Sequence, residues 1–234
     1  MGQGEIAMTV QWGPFVLDKL VAPKCSKLTA CLAPELREPY DYFTDFFLNN
    51  VVSFIDNPNH DDNTRWPTIV FLRRLANAAQ AYRDGRDQML KCVSASRHSN
   101  DMVRAYLNSL SHFESAIVNT YLALMASKAV GALIDPTMPR PFNSKDGSPA
   151  QRLNAAYNAL KHFQGNLEEG KITNTVPIWL VEDGIECAGS EGGAKLRFDE
   201  LTGLLSDLEC NARFLAEEVY RMAQEEIRGR APAG

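Results

Sequence analysis

The stretch from Asp101 to Gly131 limits the fold more than any other part of the chain. Leu110, Phe113, Ile117, Tyr121 and Leu124 recur at helical spacing, and Val103, Tyr106, Val118, Leu122 and Met125 widen the stripe. A helix that is apolar on more than one side has to be covered on more than one side. The spacing therefore predicts a central helix in a bundle. Glu114 lies at the edge of this stripe. If buried, its carboxylate calls for a partner from another helix; otherwise it is a half-solvated flanking charge.

The segments on either side supply the partners for such a helix. Pro39 suits a first helical turn, and Tyr42, Phe43, Phe46, Phe47, Val51, Phe54 and Ile55 follow as an apolar face. A second helix is expected to start near Pro67, capped by Asn63 or Thr64. Ile69, Leu72, Ala76, Ala79 and Tyr82 form its buried stripe, and it runs past a weak point at Gly85 toward Val93. Ser99-Asn100-Asp101 caps the central helix. Ser148-Pro149 opens a fourth, and Asp199 caps a last one with an apolar stripe from Leu201 to Met222.

Before that last helix the period changes. Val176, Ile178 and Leu180 alternate, Asp183-Gly184 signals a turn, Ile185-Glu186-Cys187 returns, and Leu196-Arg197-Phe198 suits a third short strand. Gly189, Gly192 and Gly193 lack the context of a phosphate-binding loop and are read as a loop tip. The expected fold is mainly α: an up-and-down bundle of about five helices with a small β-hairpin inserted before the last helix. With 234 residues, 45% of them hydrophobic, the chain can bury one large core. It is read as a single domain over 1–234, with residues 1–35 a poorly defined arm and 171–198 the insertion.

Several functions are disfavoured. A net charge of -5 opposes bulk attraction to nucleic acid. Arg73, Arg74, Arg83, Arg86 and Lys91 form a modest basic patch whose default reading is a solvated face. Five scattered cysteines without a C-x-x-C pair fit free structural thiols in a cytoplasmic protein. His60, Asp61 and Asp62 lie in a loop-like run with no second ligand cluster, so no metal site is expected, and no cofactor is implied. No stretch has the length and apolarity of a membrane span, and no signal peptide is read.

The chemistry-bearing residues concentrate in the fourth helix, at Arg152 to Phe163. At ~100° per residue, Leu153, Ala156, Leu160, Phe163 and Leu167 share one narrow sector. Asn154, Asn158 and His162 fall opposite, with Lys161 and Tyr157 flanking. This face meets either water, the default, or a second surface; asparagines are poor choices for an exposed helix, which favours a partner or ligand here.

A long apolar helix, a loop, and a helix carrying Asn158-x-x-Lys161-His162 resemble the HEPN superfamily of prokaryotic helical domains. The resemblance implies a four- or five-helix bundle that dimerises so that an R-polar-x-x-x-H motif meets its copy. Many members are metal-independent endoribonucleases, and others bind nucleotides or proteins without catalysis. Here Asn158 matches the polar position and His162 the histidine, while Tyr157 stands at the arginine position. Cleavage of RNA needs a base for the 2′-hydroxyl and a cation for the phosphorane. His162 suits the first role. Lys161 supplies a point charge without the guanidinium fork for the second, and the wheel places Arg152 off the Asn158–His162 stripe. Tyr157 and the acidic charge favour a dimeric, non-catalytic binding protein for RNA or a nucleotide, with Asn154, Tyr157 and Glu114 as binding residues. The alternative is an endoribonuclease or toxin-type component with His162, Asn158 and Lys161 as its catalytic set; a plain helical scaffold comes third.

Overall fold

A computed structural model describes residues 21–42, 44, 62–96, 99–134, 146–169, 176–187 and 194–230. Among these the order is α1 (Ala22–Cys25), α2 (Asp62–Ser94), α3 (Asn100–Ile134), α4 (Pro149–Glu168), β1 (Ile178–Val181), β2 (Gly184–Cys187), β3 (Lys195–Arg197) and α5 (Phe198–Arg230). The fold is mostly helical with a small antiparallel sheet before the last helix, as expected. Most of the aromatic run from Phe43 to Ile55 falls outside the described residues.

α2 and α3 form a long antiparallel hairpin. Arg74 donates to Asn119 at one level (2.9 Å), and the Ser109 hydroxyl donates to the Gly85 carbonyl at another (2.7 Å). The core is centred here. Tyr82 meets Phe113 edge-on, with centroids 5.6 Å apart, and Phe113 packs on Phe198 of α5 at 4.8 Å. All three are fully buried, and each such side chain contributes about 2 kcal/mol of hydrophobic stabilisation. Gly85, read from sequence as a weak point, sits inside an unbroken helix. A Cβ there would lie 3.1 Å from the Phe113 ring, so the glycine makes room for the aromatic cluster. α2 also begins earlier than expected, at Asp62, with Pro67 inside it.

Helix starts follow local chemistry. Ser99 Oγ accepts from the Met102 N–H, and Ser148 Oγ accepts from the Gln151 N–H, each 3.1 Å. α5 starts at Phe198, which moves the expected cap, Asp199, into the first turn. The reason is Glu200, whose carboxylate reaches back to the Arg197 N–H at 3.1 Å, half of a capping box.

The sheet has the order β1-β2-β3, with Val181 paired to Gly184 and Ile185 to Leu196. The turn is therefore Glu182-Asp183, one residue earlier than the sequence reading. Gly184 belongs to the strand, paired with Val181 and Arg197, and must be glycine there because a Cβ would lie 2.5 Å from the Leu196 carbonyl oxygen. Buried Tyr106 of α3 reaches β1: its hydroxyl donates to the Leu180 carbonyl (3.3 Å) and accepts from the Leu180 N–H (3.1 Å).

Residues 21–42, partly assigned to the arm, lie on the body. Val21, Cys25, Leu28, Ala33, Leu36 and Tyr40 are buried. The segment is held by arginines rather than by regular structure. Arg83 donates to the carbonyls of Leu36 (3.2 Å) and Glu38 (2.6 Å), and Arg86 to that of Ala33 (3.0 Å). Tyr42 donates to the buried Glu209 of α5, and desolvation, with this bond second, pushes its hydroxyl up to about 12. The basic patch is thus largely architectural: Arg74, Arg83 and Arg86 are engaged by protein acceptors, not solvated.

Candidate functional site

α4 is positioned from its first turn. Gly147, at φ 68°, takes the left-handed conformation that suits glycine. Its N–H donates to the Gln151 side chain at 2.6 Å, and its carbonyl accepts from Arg152 at 2.6 Å. The Arg152 guanidinium also makes a two-pronged contact with Glu200 of α5, at 2.9 and 2.5 Å. Leu153 and Ala156 are fully buried, as the wheel requires. These contacts fix the rotation of α4 and set what its other side presents.

That other side splits in two. Asn154 and Asn158 are half-buried, and the Asn158 amide donates to the Asn154 side-chain oxygen at 3.3 Å. Lys161 and His162, a turn further on, are exposed. Tyr157 turns toward the bundle and stacks flat on Tyr121 of α3, with centroids 3.8 Å apart and planes 5° from parallel. The residue at the arginine position of the resembled motif therefore serves packing between α3 and α4.

Glu114 is half-buried, and desolvation raises its carboxyl above the ordinary range. It has neither a hydrogen bond nor an ion pair among the described residues, and no such contact joins it to the α4 face. The structure thus brings together Asn154 and Asn158 and places Lys161 and His162 beside them on one helix. Arg152 is committed to Glu200, so no guanidinium of α4 is free for this face.

The arrangement offers an imidazole, an ammonium and two amides on one helix face. Such groups can bind an anion or a polar surface by hydrogen bonds. Within one chain they are open to water and lack the second, opposed set of groups that a preorganised transition-state site requires. Burial keeps three of the thiols protonated: Cys25 is pushed up to about 12, and Cys92 and Cys187 to about 11. All five thiols are free. No group of three or more metal-ligating side chains occurs among the described residues, outside which His60 and Asp61 fall. No helix among the described residues is long and apolar enough to cross a membrane.

Sequence reasoning missed the role of the arginines on α2 and the concavity they help to line. The signal was present as the spacing of Arg83 and Arg86, but their partners, the carbonyls of Ala33, Leu36 and Glu38, leave no mark in a side-chain pattern. No protein-family model matches the chain, and neither curated proteins nor solved structures give a significant match.

Proposed function

We propose that this chain is a HEPN-like, non-catalytic binding or accessory protein that works as a homodimer through the polar face of α4. The observation that carries the non-catalytic reading is the stack of Tyr157 on Tyr121 at 3.8 Å. It fills the position where the resembled motif has its phosphate-stabilising arginine. The nearest guanidinium, Arg152, is held by Glu200 and the Gly147 carbonyl. Without such a fork, a histidine opposite its own copy can hydrogen-bond a phosphate or base edge but gives little stabilisation to a phosphorane. The dimer supplies the second set of groups that one exposed helix lacks, so the reading places RNA or a nucleotide between two α4 faces in a cytoplasmic protein.

Light scattering over a concentration series, combined with RNA binding and cleavage assays in EDTA, tests the reading. The expected outcome is a dimer that binds RNA or nucleotide without cleaving it, with binding weakened in Asn158→Ala and His162→Ala. A strict monomer removes the composite face. Cleavage by the parent chain that is lost in His162→Ala replaces the reading with the endoribonuclease one.

A further inference from the structure

One stripe of α3 faces outward along most of the helix and changes character halfway. Arg104, Asn108, Ser111 and Ser115 are exposed, with exposed Leu107 at their edge. The same alternation of four- and three-residue steps continues through Val118, Leu122, Met125 and Ala129, the spacing of a coiled-coil seam. In this second half Val118 and Leu122 are half-buried, Ala129 is exposed and Met125 is 42% exposed. No charged side chain occurs from Ser115 to Ser127. An apolar, partly covered half on an otherwise polar stripe gains from further burial. We propose that residues 115–129 of α3 form a helix–helix seam with a second copy of the chain, packed antiparallel about Leu122.

The charges select both the occupant and its orientation. Being uncharged, the stripe meets its own copy without like-charge contact. Its two ends carry opposite signs, Glu114 just before it and Lys128 in its last turn. An antiparallel copy sets each glutamate beside the other copy's lysine, whereas a parallel copy sets like charges together. Lys128 has an interaction within its own chain, and its ammonium carries donors for a second. In the monomer Glu114 stays unpartnered. An axis at Leu122 also matches sizes. Val118 lies against Met125 of the second copy and the small Ser115 against its Ala129, so the helices approach closely at both ends of an overlap about 21 Å long. This rests on the dimer proposed above and supplies its seam. α4 lies alongside through the Tyr121–Tyr157 stack, and its polar face, with hydration to lose, gives little adhesion of its own.

Sedimentation equilibrium on the full chain tests the seam. The parent is expected to dimerise, and Met125→Glu, at an exposed position, to weaken the dimer about tenfold by placing a carboxylate in the apolar seam. Lys128→Glu weakens it too, and the swap Glu114→Lys/Lys128→Glu restores it. Asn108→Glu, on the polar half, leaves it unchanged. The inference is overturned by a strict monomer, by a dimer that Met125→Glu leaves intact or Asn108→Glu weakens equally, or by a charge swap that restores nothing, with thermal melts confirming that each variant is folded. A dimer broken by Met125→Glu in a protein that binds neither RNA nor nucleotide keeps the seam and removes the ligand reading. A dimer broken by Asn158→Ala but not by Met125→Glu does the reverse.

Discussion

The polar faces of α2 and α4 are alike in sequence and opposite in use. Both carry basic and amide side chains, on α2 half-buried beside the apolar stripe and on α4 opposite it. On α2, Arg74, Arg83 and Arg86 each reach a fixed protein acceptor and hold residues 33–38 and α3 in place. On α4, Asn154 and Asn158 bond only to each other in the described structure, at 3.3 Å, and Lys161 and His162 stand exposed. A polar face is architectural when another part of the chain lends it acceptors, and free for an outside partner when none does. The residue types do not decide between these; the tertiary neighbours do.

Breaking the α2 face should have the largest effect. The double variant Arg83→Ala/Arg86→Ala removes three charge-assisted bonds to carbonyls, and urea denaturation should show a loss of about 2–4 kcal/mol. A loss below about 1 kcal/mol would equate this face with a solvated one. Arg152→Ala tests the anchored side of α4. It strips the two-pronged partner from Glu200, whose side chain is only 12% exposed, and should cost about 2 kcal/mol in the same assay.

Glu114 sharpens the comparison because it is half-buried yet unpartnered. Its carboxyl is raised from 4.5 by desolvation, so the folded state holds this proton more tightly than the unfolded chain. The linkage sign follows: the group favours folding below its unfolded value and loses that contribution as pH rises through its folded value. Glu114→Gln should therefore be more stable than the parent at pH ~7 and gain little at pH ~4, where the parent carboxyl is itself protonated. Denaturation at both pH values checks this, and an equal gain at each would assign the effect to something other than charge.

The smallest effect belongs to the open face. Asn158→Ala gives up a long neutral hydrogen bond and gains helix propensity, so stability should move by less than about 0.5 kcal/mol, with a bias toward gain. His162→Ala should be similarly silent. A cost above about 1 kcal/mol for either would show that the α4 face is held by the protein itself, like that of α2.

The same contrast explains what could be read in advance. α3, α4, α5 and the hairpin were legible because their burial is periodic along the chain, and the Ser99 and Ser148 caps because capping is local. The segment around Leu28 to Tyr40 was not, since it is irregular and its attachment depends on side chains from some 45 to 55 positions away. Gly85 and Gly184 were misread for the same reason. Each is required by a neighbour across the structure, Phe113 in one case and the β3 backbone in the other. On α4 the wheel placed Leu153 and Ala156 in the core, but Leu160 and Phe163 are only half-buried, like Asn154 and Asn158, and it could not show that Tyr157 would stack on Tyr121.

The hydroxyl of Tyr106 has a consequence beyond holding β1. A three-stranded sheet with a bare outer strand is a template onto which another chain can add, as a receptor groove does for a peptide or a fibril end for its next layer. At Leu180 the outward N–H and carbonyl of that strand are both taken by one phenol from α3. A single side-chain oxygen thus occupies the place an incoming backbone would need. Tyr106→Phe would keep the ring that covers this edge and leave both Leu180 backbone groups buried without a partner, so urea denaturation should show a loss of about 1–3 kcal/mol.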